Sequence, residues 1–220
     1  MSDRSPKITR SPKIIRSVLA VFVLVTASAL ILTGPASAEP PGIPDEATAR
    51  SELAALPVAE LESSDGYSRD LFPHWTTVYG TCNTREVVLQ RDGTDVQVNS
   101  SCAAVSGSWY SPYDGATWYA ASDVDIDHVV PLSNAWRTGA RYWSQATRTA
   151  FANDRDHPQL IAVTDNVNQS KGDQSPDQWK PPLTDYWCTY AEMWVASKYY
   201  WGLWITSDEG SALDSMLNYC

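Results

Sequence analysis

The sequence predicts an α+β fold, and three observations indicate it. The stretch "DVDIDHVVPL" at residues 123–132 begins with the period-two alternation of a half-buried strand. A second short apolar run, "QLIAVT" at residues 159–164, is followed directly by a segment with helical character that carries Asn168 and Lys171. The C-terminal part of the chain then holds two amphipathic segments, "YAEMWVASKYYWGLW" and "SALDSMLNYC". Together these segments predict a ββα unit followed by C-terminal helices.

The pattern of residues 1–38 predicts a secretory leader, which is not part of this fold. Basic residues precede an apolar segment at 18–32, and Ala36-Ser37-Ala38 resembles a cleavage site. The apolar segment is about fifteen residues long, shorter than the roughly twenty that a bilayer-spanning helix needs. We therefore expect a secreted protein that is not attached to a membrane after cleavage.

The rest of the chain is predicted to be a linker with a short helix at 39–66 and one domain at 67–220. Five of the 16 basic residues and one of the 26 acidic residues lie in the leader, so the secreted part is strongly acidic. It has room for only one core of ordinary size. We expect it to be a monomer.

Four cysteines lie in the secreted part, and they predict two disulfides because an oxidising compartment favours such bonds. Three pairings are open to Cys82, Cys102, Cys188 and Cys220. The pairs Cys82–Cys102 and Cys188–Cys220 are favoured because each closes a local loop. None of the four cysteines forms a C-x-x-C pair, so the sequence does not indicate a zinc site.

Two further segments have local patterns that predict secondary structure. "REVVLQRDGTDVQV" at residues 85–98 places an Asp-Gly pair between two β-rich runs, which predicts an N-terminal β-hairpin. Residues 133–153 contain no proline and carry periodic apolar and basic side chains, which predicts one helix despite Gly139.

The polar residues of the ββα unit predict a hydrolytic metal site. A carboxylate from Asp127 and an amide oxygen from Asn168 suit a hard divalent cation, with Mg²⁺ favoured over Mn²⁺ or Ca²⁺. His128, next to Asp127, is free to take a proton from water instead of binding the ion. An isolated Asp-His pair would more often be structural, so the prediction depends on both segments.

"DIDHVVPL" together with "NVNQSKGDQSPDQW" resembles the HNH endonucleases, and specifically the exported actinobacterial type related to the C-terminal domain of GmrSD restriction endonucleases. The resemblance covers residues 67–220. It implies a ββα-metal (HNH/His-Me finger) core in which Asp127 and Asn168 bind the metal and His128 is the general base. Many HNH proteins have an asparagine that orients this histidine, whereas this chain has Gln159 at the matching place.

The resemblance implies a nucleic acid substrate, with DNA favoured over RNA. Lys171 is a candidate to grip phosphate, and so are the basic residues Arg137 and Arg141 between the two motifs. The acidic balance argues against tight non-specific binding of a polyanion. A non-catalytic extracellular module that holds Ca²⁺ on the same fold therefore stays open as the alternative function.

Overall fold

The computed structural model describes residues 1–2 and 39–220, so nearly all of the predicted leader lies outside the described residues. The described part is a mixed α+β structure, as predicted. Its helices are α1 Glu46–Ala55, α2 Thr84–Asp92, α3 Leu132–Arg137, α4 Gln145–Ala152, α5 Asp165–Lys171, α6 Trp187–Trp201 and α7 Ser207–Leu217. Its strands are β1 Thr77–Tyr79, β2 Cys82–Asn83, β3 Gly93–Val98, β4 Ala104–Tyr110, β5 Thr117–Trp118, β6 Val124–His128 and β7 Leu160–Thr164.

The strands form three small antiparallel sheets. β1 pairs with β2, and β3, β4 and β5 form a meander in chain order. β6 pairs with β7 in a regular register that places Asp127 opposite Ile161 and His128 opposite Leu160. Helix α5 begins directly after β7, so the predicted strand, strand and helix follow one another as expected.

Strand β6 separates its apolar and acidic side chains as the alternation predicts. Val124 and Ile126 are buried in a small apolar cluster with Trp109 and Leu160. Because successive side chains of a strand point to opposite faces, Asp127 lies on the other face. That face is directed toward the larger core, where Asp127 is itself buried.

The predicted hairpin at residues 85–98 is wrong in its first half, because residues 84–92 form helix α2. A capping box begins this helix: the Asn83 side chain accepts from the Glu86 backbone N–H, and the Glu86 carboxylate accepts from the Asn83 backbone N–H. Val88 and Leu89 are buried in the smaller apolar cluster. The Asp92-Gly93 pair therefore joins a helix to β3, and the hairpin lies between β3 and β4 instead.

The predicted single helix at residues 133–153 is interrupted. Helix α3 ends at Arg137 and α4 begins at Gln145, with Gly139 between them at φ +129°. This φ is strained for any residue with a side chain, and an added Cβ would lie 3.3 Å from the Trp204 ring. Close packing at Gly139 therefore accompanies the turn of the chain.

The segment at residues 39–66 packs against the domain. Ala49 and Leu56 are buried in the larger core, beside Trp194 and Val195 of α6. Arg50 pairs with Asp214 of α7 at 2.9 Å. The short helix predicted in this segment is α1.

Both predicted disulfides are present. Cys82 is bonded to Cys102, and Cys188 is bonded to Cys220. The first connects β2 to the loop after β3, and the second connects the start of α6 to Cys220 after α7. No helix in the described ranges 1–2 and 39–220 has the length and apolar character needed to cross a membrane.

Candidate active site

A cavity of about 140 Å³ lies at the C-terminal end of β6 and beside α5. Asp127, His128 and Asn168 all line it, together with Arg69 and Asp173. The three residues singled out by the two sequence motifs are thus brought to one place, although Asn168 is far from the other two along the chain. The cavity is the candidate active site.

Asp127 is almost fully buried and accepts a hydrogen bond at each carboxylate oxygen. The Lys171 ammonium donates to Oδ1 at 2.9 Å, and the Tyr113 hydroxyl donates to Oδ2 at 2.7 Å. Burial raises the pKa of Asp127, and the charge and hydrogen bond of Lys171 oppose that rise. The two donors hold the carboxylate in a defined orientation at the edge of the cavity.

Replacing Tyr113 by phenylalanine is expected to lower the free energy of unfolding by about 1–3 kcal/mol, because a buried carboxylate oxygen then loses its donor. Urea denaturation of the two proteins measures the difference. Tyr190→Phe is the matched control, since Tyr190 is equally buried and its hydroxyl has no partner within the described residues. An equal loss of stability in both variants would contradict a specific role for the Tyr113 hydroxyl.

Lys171 is fully buried and bridges the two motifs. Besides Asp127, its ammonium donates to the backbone carbonyl oxygen of His128 at 3.0 Å. These bonds hold the end of β6 against α5. The structure therefore corrects the expectation that Lys171 grips a phosphate: its charge is used inside the protein, where it positions Asp127 and His128.

His128 has one ring nitrogen engaged by the protein. Nε2 lies 2.9 Å from the backbone carbonyl oxygen of Ala152, which can only accept, so Nε2 carries the hydrogen. Nδ1 is then an acceptor. Burial lowers the pKa of His128 to about 3, and the nearby charge of Arg69 acts in the same direction. The imidazole is thus neutral near pH 7, with Nδ1 as its acceptor nitrogen.

Trp75 packs against the His128 ring in a stacked geometry, with the ring centroids 5.5 Å apart. Its backbone has φ +60°, a conformation that a bulky residue rarely adopts. Strained backbone of this kind is often found at functional sites, where the surrounding structure holds it in place. Trp75 and the Ala152 carbonyl together fix the plane of the imidazole.

Gln159 does not orient the histidine, in contrast to what the matching position in HNH proteins suggests. Its side chain donates to the Val130 carbonyl oxygen at 2.8 Å, and it accepts from the Val130 N–H at 3.2 Å and the Ser197 hydroxyl at 2.7 Å. These bonds hold the loop after β6. Glutamine is one methylene longer than asparagine, and here its carboxamide bonds to Val130. The group bonded to the His128 ring is the Ala152 carbonyl.

Asn168 lies on the cavity wall and donates through Nδ2 to Asp125 Oδ2 at 3.1 Å. This bond orients the carboxamide and leaves its carbonyl oxygen as an acceptor. Each carboxylate oxygen of Asp127 also keeps a lone pair beyond the hydrogen bond that it accepts. The oxygen donors of Asp127 and Asn168, with Asp125 beside them, fit a hard divalent cation such as Mg²⁺.

The two arginines predicted to bind substrate are engaged elsewhere. Arg137 donates to the backbone carbonyl oxygen of Glu62 at 2.8 Å, and Arg141 pairs with the Glu62 carboxylate at 2.9 Å. These contacts hold the segment before the domain against α3. Within the described part of the chain, Arg69 is the arginine that lines the cavity.

A family model described as "GmrSD restriction endonucleases, C-terminal domain" matches residues 86–215, more than half of the chain. The match includes both strands and the helix that carry the candidate site. The chain belongs to the GmrSD C-terminal domain family. The resemblance inferred from its two motifs is thereby confirmed at the level of the family.

A fungal relative extends the comparison beyond the GmrSD family model. An "Uncharacterized secreted protein" of Arthroderma benhamiae is 62% identical over 200 residues, which cover 90% of this chain and 98% of the relative. The prediction of a secreted protein is confirmed. The restriction to an actinobacterial type is not supported, since this relative is fungal. No solved structure matches the chain.

Some residues that line the cavity or support it lie outside the part of the chain that the GmrSD family model matches. Arg69 and Trp75 precede residue 86, while Tyr113 lies inside the match but outside the two motifs. Sequence reasoning missed all three. The aromatic run from Tyr67 to Trp75 was a weak signal for the first two, because most aromatic residues in a small domain fill the core.

Proposed function

We propose that this GmrSD-family protein is a secreted, metal-dependent HNH endonuclease that hydrolyses phosphodiester bonds of nucleic acid, with DNA as the favoured substrate. The observation that supports this most is the shared cavity of Asp127, His128 and Asn168. The order of β6, β7 and α5 agrees with a ββα-metal core. The orientation of the His128 ring, with Nε2 bonded to the Ala152 carbonyl oxygen and Nδ1 left as the acceptor, supports its role as general base.

In the proposed reaction, His128 Nδ1 takes a proton from water, and the resulting hydroxide attacks phosphorus. The bond between phosphorus and the 3′ oxygen breaks, and that oxygen leaves with a proton from solvent. A divalent cation, expected to be Mg²⁺, would be held by Asp127 and Asn168 and would stabilise the negative charge that develops on the phosphate. Lys171 and Tyr113 orient Asp127, while Trp75 and Ala152 orient His128.

The residues 39–220 are expected to nick supercoiled plasmid in Mg²⁺ or Mn²⁺ and to stop when EDTA is added. Asn168→Ala is expected to lower the rate at least about tenfold and to require more metal, because an oxygen donor is lost. Agarose gels over a metal titration measure both effects.

Asn166→Ala provides the matched control, since Asn166 is exposed on the same helix. It should cut like the wild type. Cleavage that continues unchanged in EDTA would contradict the metal-dependent mechanism. Equal rates for Asn168→Ala and the control would contradict the ligand assignment.

A non-catalytic module that binds Ca²⁺ is the second candidate. It is favoured by the acidic charge of the secreted part and by Gln159, which bonds to Val130 instead of orienting His128. Calorimetric titration separates the two candidates. Tight Ca²⁺ binding without cleavage in Mg²⁺, Mn²⁺ or Ca²⁺ would support the binding module and contradict the nuclease.

A further inference from the structure

Arg69 is a basic residue of the candidate active site that neither sequence motif contains. It begins a short 3₁₀ turn, Arg69–Leu71, and its side chain lines the cavity with Asp127, His128 and Asn168. The residue itself is exposed, so its guanidinium is open to a ligand from solvent. A cation at the mouth of a cavity lined by carboxylates is placed to meet an anionic substrate.

His74 holds one end of the Arg69 side chain. The His74 Nδ1 lies 2.9 Å from the Phe72 carbonyl oxygen, which can only accept, so Nδ1 carries the hydrogen. The other ring nitrogen, Nε2, is therefore an acceptor, and Arg69 Nε donates to it at 3.4 Å. This contact uses Nε, and among the described residues neither terminal nitrogen of the guanidinium makes a hydrogen bond. Both terminal nitrogens can therefore donate to a ligand.

Within the described part of the chain, Arg69 makes no ion pair with an acidic side chain. Among residues 39–220, no carboxylate oxygen lies within 4.0 Å of its nitrogens, and Asp173 on the same cavity wall makes no such ion pair. Arg141, in contrast, pairs with Glu62 at 2.9 Å. An arginine that is oriented at Nε but free at its terminal nitrogens matches the two oxygens of a phosphate diester.

The geometry points to Arg69 as a substrate-binding residue that donates from its terminal nitrogens to the non-bridging oxygens of the phosphate beside His128. This assignment rests on the proposed nuclease function. It replaces Arg137 and Arg141 as the arginine that contacts substrate. It also gives a role to a segment that precedes the family match, since Arg69 and its support His74 both lie before residue 86.

A cleavage assay tests this assignment with Arg69→Gln, Arg69→Lys and Arg141→Gln. Arg69→Gln is expected to lower kcat/KM for a DNA substrate about a hundredfold, because one preorganised donor to the reacting phosphate is removed. Arg69→Lys keeps the charge but not the two-pronged geometry, so its rate should lie between those of wild type and Arg69→Gln. Arg141→Gln should cut like the wild type.

A binding assay gives a readout that does not depend on metal or turnover. In EDTA, with His128→Ala in every protein, the anisotropy of a labelled DNA duplex reports binding over a series of salt concentrations. Loss of one phosphate contact is expected to reduce the slope of log K against log[salt] by about 0.9 in Arg69→Gln. Arg141→Gln should keep the wild-type slope.

The outcomes separate failure of this inference from failure of the nuclease proposal. Arg69→Gln with wild-type cleavage and an unchanged salt slope would overturn the Arg69 assignment while the nuclease stands. If the unaltered protein neither cuts nor binds nucleic acid, both proposals are wrong. Should thermal melting show that Arg69→Gln does not fold, Arg69→Lys decides: because this variant keeps the charge, its salt slope should not change, and a wild-type kcat/KM would count against the assignment.

Discussion

His128→Ala is expected to abolish plasmid cleavage while the protein keeps its fold. Among the described residues, His128 is the only histidine that lines the cavity, and its Nδ1 is the nitrogen proposed to take the proton from water. Loss of a general base lowers a rate by about 10²- to 10⁴-fold. Nicking of supercoiled plasmid in saturating Mg²⁺, followed over time for both proteins, measures the change.

A loss of activity through unfolding must be separated from a loss of the general base in this variant, because His128 also bonds to Ala152 and stacks on Trp75. Thermal melting and near-ultraviolet circular dichroism show whether the fold survives. His157→Ala serves as the matched control: His157 is partly buried and stacks on Tyr200 outside the cavity. If folded His128→Ala cuts plasmid at the wild-type rate, the proposed mechanism is wrong.

Lys171→Met is expected to give one of the largest losses of stability for a single change, about 3–5 kcal/mol. The substitution leaves the Asp127 carboxylate buried without its cation and leaves the His128 carbonyl without its donor. Urea denaturation measures the free energy of unfolding. A lysine that only gripped substrate phosphate, as the motif by itself suggested, would show no such loss.

The double variant Asp127→Asn with Lys171→Met isolates the interaction. Without the carboxylate there is no uncompensated charge, so the double variant should be more stable than Lys171→Met alone. Lys180→Met is the matched control, since Lys180 is partly exposed and lies over the Trp187 ring without a buried ion pair. Equal stability of Lys171→Met and Lys180→Met would contradict the buried bridge.

Local patterns predicted the elements that carry the candidate site. The alternation at residues 123–128 and the short run at 160–164 formed β6 and β7, and Gly172 ended α5 where a glycine with positive φ was required. The same kind of reasoning was wrong at residues 85–91. There, β-prone valines and an Asp-Gly pair were outweighed by the Asn83–Glu86 capping box and by burial of the apolar face of α2.

The roles of polar side chains were predicted less well than their positions, as Lys171 and Gln159 show. Both lie where the motif comparison placed them, yet Lys171 bridges Asp127 to the His128 carbonyl and Gln159 holds Val130. Each side chain is long and flexible, so its partner depends on which groups the fold leaves unsatisfied nearby. Spacing along the chain carries no information about those groups.

The sequence by itself determined the family and the secreted localisation and indicated the three residues that meet in the cavity, because each depends on residue type and local spacing. It favoured the two disulfide pairs, which the structure then established. Only the tertiary structure decided which groups surround them. Arg69 and Trp75, from the segment before β1, and Tyr113, from the loop after β4, lie beside Asp127 and His128. Arg137 and Arg141 are bonded to Glu62 instead. Contacts between distant segments follow from packing of the whole chain, which no short stretch encodes.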